Sequence, residues 1–180
     1  MDIAIDAEAK DKWLNRMVAL SVVVLSIFMG LGQVKDGNIV QAMAQAQSNA
    51  VDRWGEYQAT RTKLHIDETA LAQARATPGM AAEAVRLNAE IAKYAKESPE
   101  LRKQAEGFQA QYDALNVHDD QFDASDATIG IAVAIAAVAA LSESFPALVV
   151  AWLFGGFGMV MGLAGFLGWA LKSPLASLLG

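Results

Sequence analysis

The chain has 180 residues, 54% of them hydrophobic and 19% charged, with fourteen Lys or Arg, twenty Asp or Glu, a net charge of −6 and no Cys. The missing Cys excludes disulfides, thiolate metal sites and cysteine nucleophiles, and the acidic balance argues against nucleic acid as a partner. The apolar residues are gathered into blocks longer than a soluble core needs, which predicts an all-α integral membrane protein of single-domain size.

A hydrocarbon layer about 30 Å thick requires roughly 20 helical residues. After a polar N-terminal segment, residues 1–12, the run from Trp13 to Leu31 meets that length and predicts a first transmembrane helix over 13–35, with Arg16 snorkelling beside Trp13. Ala42-Met43-Ala44 has the form of a signal-peptidase site, but Lys35 and Asp36 separate it from the apolar core, so the run is read as an uncleaved anchor.

Residues 36–121 are polar, and their apolar positions keep helical spacing. Asp36-Gly37-Asn38 reads as the end of the first span and the cap of a new helix from Ile39. Thr77-Pro78-Gly79 reads as stop, cap and first-turn proline, and Ser98-Pro99-Glu100 repeats that signal. These divide the segment into an outgoing helix to about Ala76, a shorter one to Glu97, and a third from Pro99 that runs on toward the membrane. The outgoing helix carries an apolar seam, Met43, Ala50, Tyr57, Leu64 and Leu71, beside a mixed one, Val40, Gln47, Trp54, Arg61 and Glu68. The returning helix carries Leu101, Ala105, Phe108, Tyr112 and Leu115 at 4-3-4-3 spacing. Packed together they make a long antiparallel, coiled-coil-like hairpin, whose arms reach about 55–70 Å at about 1.5 Å per residue.

A second transmembrane helix is predicted over 122–143 and a third over 144–171, with Trp152 and Trp169 as interfacial anchors of the third. Ser142-Glu143-Ser144 joins them as a tight polar turn, and Pro146 falls in the first turn of the third helix. Residues 172–180 form a C-terminal tail in which Ser173-Pro174 can start a turn of helix. Lys10, Lys12 and Arg16 before the first span favour a cytoplasmic N-terminus with the hairpin on the far side, whereas the uncharged-to-acidic turn at 142–144 and Lys172 lean the other way.

Three groups of residues carry a resemblance. Asp11-Lys12-Trp13-Leu14-Asn15 enters the first span; Asp52-x-Trp54-x-x-Tyr57-Gln58-Ala59, with Lys63 beyond, lies on the outgoing helix; His118-Asp119-x-x-Phe122-Asp123 precedes the second span. Together they resemble the bacterial "domain of unknown function 4337" membrane family over nearly the whole chain. The resemblance implies the three-span architecture and a bacterial inner membrane, and no activity. A basic turn between the last two spans is common in that family, and Ser142-Glu143-Ser144 departs from it.

Candidate sites are few. His118, Asp119, Asp123 and Asp126 offer an imidazole and three carboxylates, the acids on one helical face; this reads first as a solvated acidic face, and suits a divalent cation if copies of the chain converge. His65 lacks a second soft ligand at helical spacing and reads as a packed or surface residue. Trp54, Tyr57, Leu64, Leu101, Phe108 and Tyr112 read as interface residues of the hairpin. In the membrane, Ala132, Ala136 and Ala140 on the second span and Gly158 and Gly162 on the third let helix backbones approach closely, either between protomers or within one chain. No phosphate-binding loop, nucleophile elbow or zinc-protease motif occurs, so no enzyme and no cofactor are expected. The expected function is a scaffold or adaptor: a homo-oligomer in the lipid bilayer, held by its hairpin and small-residue faces. The alternatives are an accessory subunit bound to another membrane protein and a cation pore with an acidic collar.

Overall fold

Three apolar blocks and two turn signals become three helices. A computed structural model describes residues 12–169 and 171, and within them α1 spans Lys12–Ala76, α2 Ala81–Leu141 and α3 Phe145–Leu167, with no strand among the described residues. Each helix contains a stretch long and apolar enough to cross a membrane. Apart from Lys12, the N-terminal segment lies outside the described residues, as does the tail with its expected turn at Ser173-Pro174.

Two expected breaks are absent. α1 runs through Asp36-Gly37-Asn38 without interruption. One helical glycine costs only about 1 kcal/mol relative to Ala, and buried Gly32 and Ile39 on either side hold the register. The Asp36 carboxyl does not cap a new helix; it faces Asp119 of α2. α2 likewise runs through Pro99. An interior proline forfeits a hydrogen bond and costs about 3 kcal/mol. Here Pro99 and Ala95 are exposed, while Ser98 and Leu101 are buried and keep the packed face in phase. A shallow cleft of about 230 Å³ lies here, lined by Tyr57, Arg61, Leu64, Ala95, Ser98 and Pro99.

The Thr77 signal does end a helix, though Pro78 and Gly79 fall in the turn and not in the next helix, and Gly79 takes φ +88°, which other residues rarely adopt. Between α2 and α3, Glu143 at φ 51° lets the Ser144 amide reach Ala139 O at 3.0 Å. Ser144 then caps α3, its side chain accepting from the Ala147 amide, with Pro146 in the first turn. α3 is shorter than the 144–171 expected, because Gly168 at φ 70° terminates it in a left-handed cap.

The chain divides into two compact units, one of residues up to Val40 and from Asn116 on, the other Gln41–Leu115. In the first, Leu14 and Val18 of α1 pack with Ala136 and Ala139 of α2 and with Leu148 and Ala151 of α3, and Leu25 packs with Ile129 and Ala132. Glycines let α3 in close: a β-carbon on Gly158 would lie 2.6 Å from Thr128 Oγ1, and one on Gly165 would lie 2.7 Å from Phe122 Cε2. Trp152 Nε1 donates to Ser21 Oγ at 2.8 Å, which ties α3 to α1.

In the second unit the covered positions of α1 step by three and four: Met43, Ala46, Ala50, Arg53, Tyr57, Thr60, Leu64, Asp67, Leu71 and Ala74. The expected apolar seam is therefore present, but its companion is Ala46, Arg53, Thr60, Asp67 and Ala74. Val40, Gln47, Arg61 and Glu68 of the mixed seam are exposed instead. On α2 the seam expected from Leu101 to Leu115 extends back through Ser98, Tyr94, Ile91 and Leu87 to Ala84. Leu71 and Ala74 pack against Leu87, Arg75 Nη2 donates to Asn88 Oδ1 at 3.1 Å, and Lys63 Nζ lies 5.9 Å from the Tyr94 ring centre.

Candidate functional site

The residues marked as interfacial divide between the two units. Leu64 and Leu101 are buried in the second unit, and Trp54, Tyr57, Phe108 and Tyr112 are half-buried there, with the Trp54 and Tyr57 rings edge to face at 5.6 Å. His65 sits on the exposed face between Arg61 and Glu68, Nδ1 lying 3.0 Å from Glu68 Oε2. The small-residue faces are filled within the chain. Ala132 and Ala136 are fully buried and Ala140 partly so. A β-carbon on Gly162 would meet Phe28 Cε1 at 2.6 Å and Ser125 Oγ at 2.8 Å, as the one on Gly158 would meet Thr128. These contacts are made within one chain.

The densest polar constellation lies in the first unit, where α1 meets α2 just beyond the apolar stretch of α1. It begins from a glycine. Gly32 has no side chain, and a β-carbon there would sit 3.6 Å from Phe122 Cδ1 and 3.8 Å from Asp126 Oδ1, so the two helices are close at this level. One helical step of four brings Asp36 to the same face, opposite Asp119. The two carboxyl groups face each other, and Gln33 lies beside Asp126. Asp36 Oδ1 and Asp126 Oδ1 are buried without a hydrogen-bond partner.

Burial, followed by the charges of Asp119 and Asp123, pushes the Asp36 carboxyl up from 3.8 to about 6. Burial and the charge of Asp123 also raise Asp119, while its bond from Asp36 works against that rise. A carboxyl held near 6 beside a carboxylate can keep a proton between the two at mildly acid pH.

The four residues considered as cation ligands do not share a centre. His118 Nδ1 lies 3.1 Å from Gln121 Oε1, Asp119 faces Asp36, Asp126 faces Gln33, and Asp123 is exposed. Among the described residues no group of three His, Cys, Asp or Glu is placed to hold a metal ion. One helical face is thus shared in sequence without convergence in space, since a hard cation needs ligands from several directions.

Sequence reasoning missed Asp36, Gln33 and Gln121 as members of this region. Gln121 is fully buried, and its Nε2 donates to Trp169 O at 2.7 Å and Leu171 O at 2.6 Å, just past the end of α3. The available signal was the spacing: Gly32, Gln33 and Asp36 share one face of a helix if the helix does not stop at Gly37.

No curated protein and no solved structure matches the chain. Residues 14–168 match the family described as Domain of unknown function (DUF4337), the family that the three groups of residues above resemble, and the chain therefore belongs to it.

Proposed function

We propose that the protein is a non-enzymatic scaffold or adaptor of the bacterial inner membrane that associates with copies of itself. In this reading three spans anchor the chain, the N-terminus lies in the cytoplasm, and residues 36–121 form an antiparallel, coiled-coil-like hairpin in the periplasm. The regular 4-3 seams of the second unit support the hairpin. Lys12 and Arg16 at the start of α1 support the orientation.

One observation carries the self-association. The small-residue faces are filled inside the chain, so the contact between copies moves to α1, where Leu20, Val24, Ile27, Leu31 and Val34 are all exposed, 52% to 70%, at 4-3-4-3 spacing. In lipid such a face gains nothing from leaving water, but knobs-into-holes packing and excluded acyl chains still favour a matched partner.

The chain contains no Cys, which makes the test direct. Single Cys residues are placed at positions 20 to 34 in turn, and disulfide cross-linking is measured in native membranes. Strong cross-linking at 20, 24, 27, 31 and 34 with weak cross-linking at 23 and 30 is the expected result. Uniform or absent cross-linking removes the self-association. If native mass spectrometry of the extracted particle then finds a second polypeptide, the protein is an accessory subunit of that partner's complex.

A further inference from the structure

The Asp36–Asp119 contact has a chemical requirement of its own. Two carboxylates repel, and neither has a hydrogen to donate, so a bond between them exists only while a proton is present. The close approach at Gly32, one step of four along α1, sets the two groups opposite each other.

Among the described residues, the surrounding groups do not replace that proton. On α2, Asp120, Asp123 and Asp126 add further negative charge, and His118 is turned to Gln121. On α1, Gln33 is neutral and faces Asp126, and Lys35 is exposed. α3 contributes no charged residue between Phe145 and Leu167.

We propose that Asp36 and Asp119 form a proton-sharing pair that makes the contact between α1 and α2 sensitive to pH, closed in mild acid and loosened as the proton leaves. The inference does not depend on the scaffold reading, since it concerns one chain alone.

The direction follows from linkage. Asp36 in the folded chain binds its proton more tightly than a free aspartate, about 6 against 3.8. Its contribution to the contact is therefore complete below the ordinary value, and it declines as pH rises through about 6. Asp119 is shifted the same way and widens the window without reversing it.

The test uses the full chain in phospholipid vesicles, diluted with unlabelled protein so that only distances within one chain are read. Spin labels are attached at Asn38→Cys on α1 and Ala127→Cys on α2, both exposed positions of the first unit. Pulsed electron resonance is then recorded at about pH 5 and about pH 8, on either side of the window. A narrow short-distance population at the lower pH, lost at the higher, is expected. Asp36→Asn, whose amide donates to Asp119 without any added proton, is expected to keep the narrow population at both pH values. Three results overturn the proposal: a wild-type distribution that ignores pH, a pH response that survives in Asp36→Asn, or one that disappears only in His118→Gln.

Discussion

The two units are built from the same two long helices, yet they hold together by different means. In the first unit, contacts are made where side chains are small or missing: Gly158 against Thr128 and Ile129, Gly162 against Phe28, Gly165 against Phe122. In the second, they are made by Leu64, Leu71, Leu87 and Leu101 on seams flanked by ion pairs such as Arg86–Glu90 and Arg102–Glu106. The difference follows from the medium each unit suits. Acyl chains are as apolar as leucine, so burying a leucine in lipid gains little, and close backbone approach supplies the attraction. Water rewards every apolar group withdrawn from it.

That contrast can be broken from either side. Leu71→Ala in the second unit is expected to cost about 2 kcal/mol or more, at the lower end of the range for buried leucines because a two-helix seam is partly open. Amide hydrogen exchange across residues 41–115 should show the loss as faster exchange. The lipid-side counterpart is Leu153→Ala on α3, where the side chain is 69% exposed; its thermal midpoint in detergent should not move, and a large drop there would mean that apolar burial also governs the first unit.

Gly158→Ala is expected to destabilise the first unit by about 1–3 kcal/mol through overpacking, since the added carbon would meet Thr128, Ile129 and the Ser125 carbonyl at once. Gly156→Ala is its control, with nothing within 4 Å of the new methyl. Equal midpoints for the two variants would show that close approach is not what holds α3. The smallest effect is expected at Arg86→Ala, which removes the exposed pairs with Glu83 and Glu90; its midpoint should coincide with that of the parent chain at physiological salt.

The apolar blocks, the stop at Thr77 and the tight turn at 142–144 were legible in the sequence because each depends on local chemistry: block length, and the polar, Gly and Pro residues that end a helix. The continuity of α1 and α2 was not. Gly37 and Pro99 are breakers by propensity, and only the burial of Gly32, Ile39, Ser98 and Leu101 against the other helix overrides them. The companion seam of α1 escaped notice because Ala46, Thr60 and Ala74 carry weak hydrophobic signal, while Trp54 beside them is conspicuous. The small-residue faces were visible, but their partners were not, since Phe28, Phe122 and Ile129 belong to other helices. At the carboxyl cluster the acids of α2 stood out, and Asp36 was mistaken for a cap once α1 was taken to end there.

Gln121 bears on how long a spanning helix can be. A helix that ends leaves its last carbonyl oxygens without donors, and where water is scarce this penalty normally drives the end out to the headgroups. Here the carbonyls of Trp169 and Leu171, just beyond the Gly168 cap, are met by one amide reaching across from α2. The Gly168 cap sets where α3 stops, and Gln121 ties the chain just past it to α2. Lengthening α3 past Gly168 would carry the Trp169 and Leu171 carbonyls away from Gln121, so the two positions have to change together.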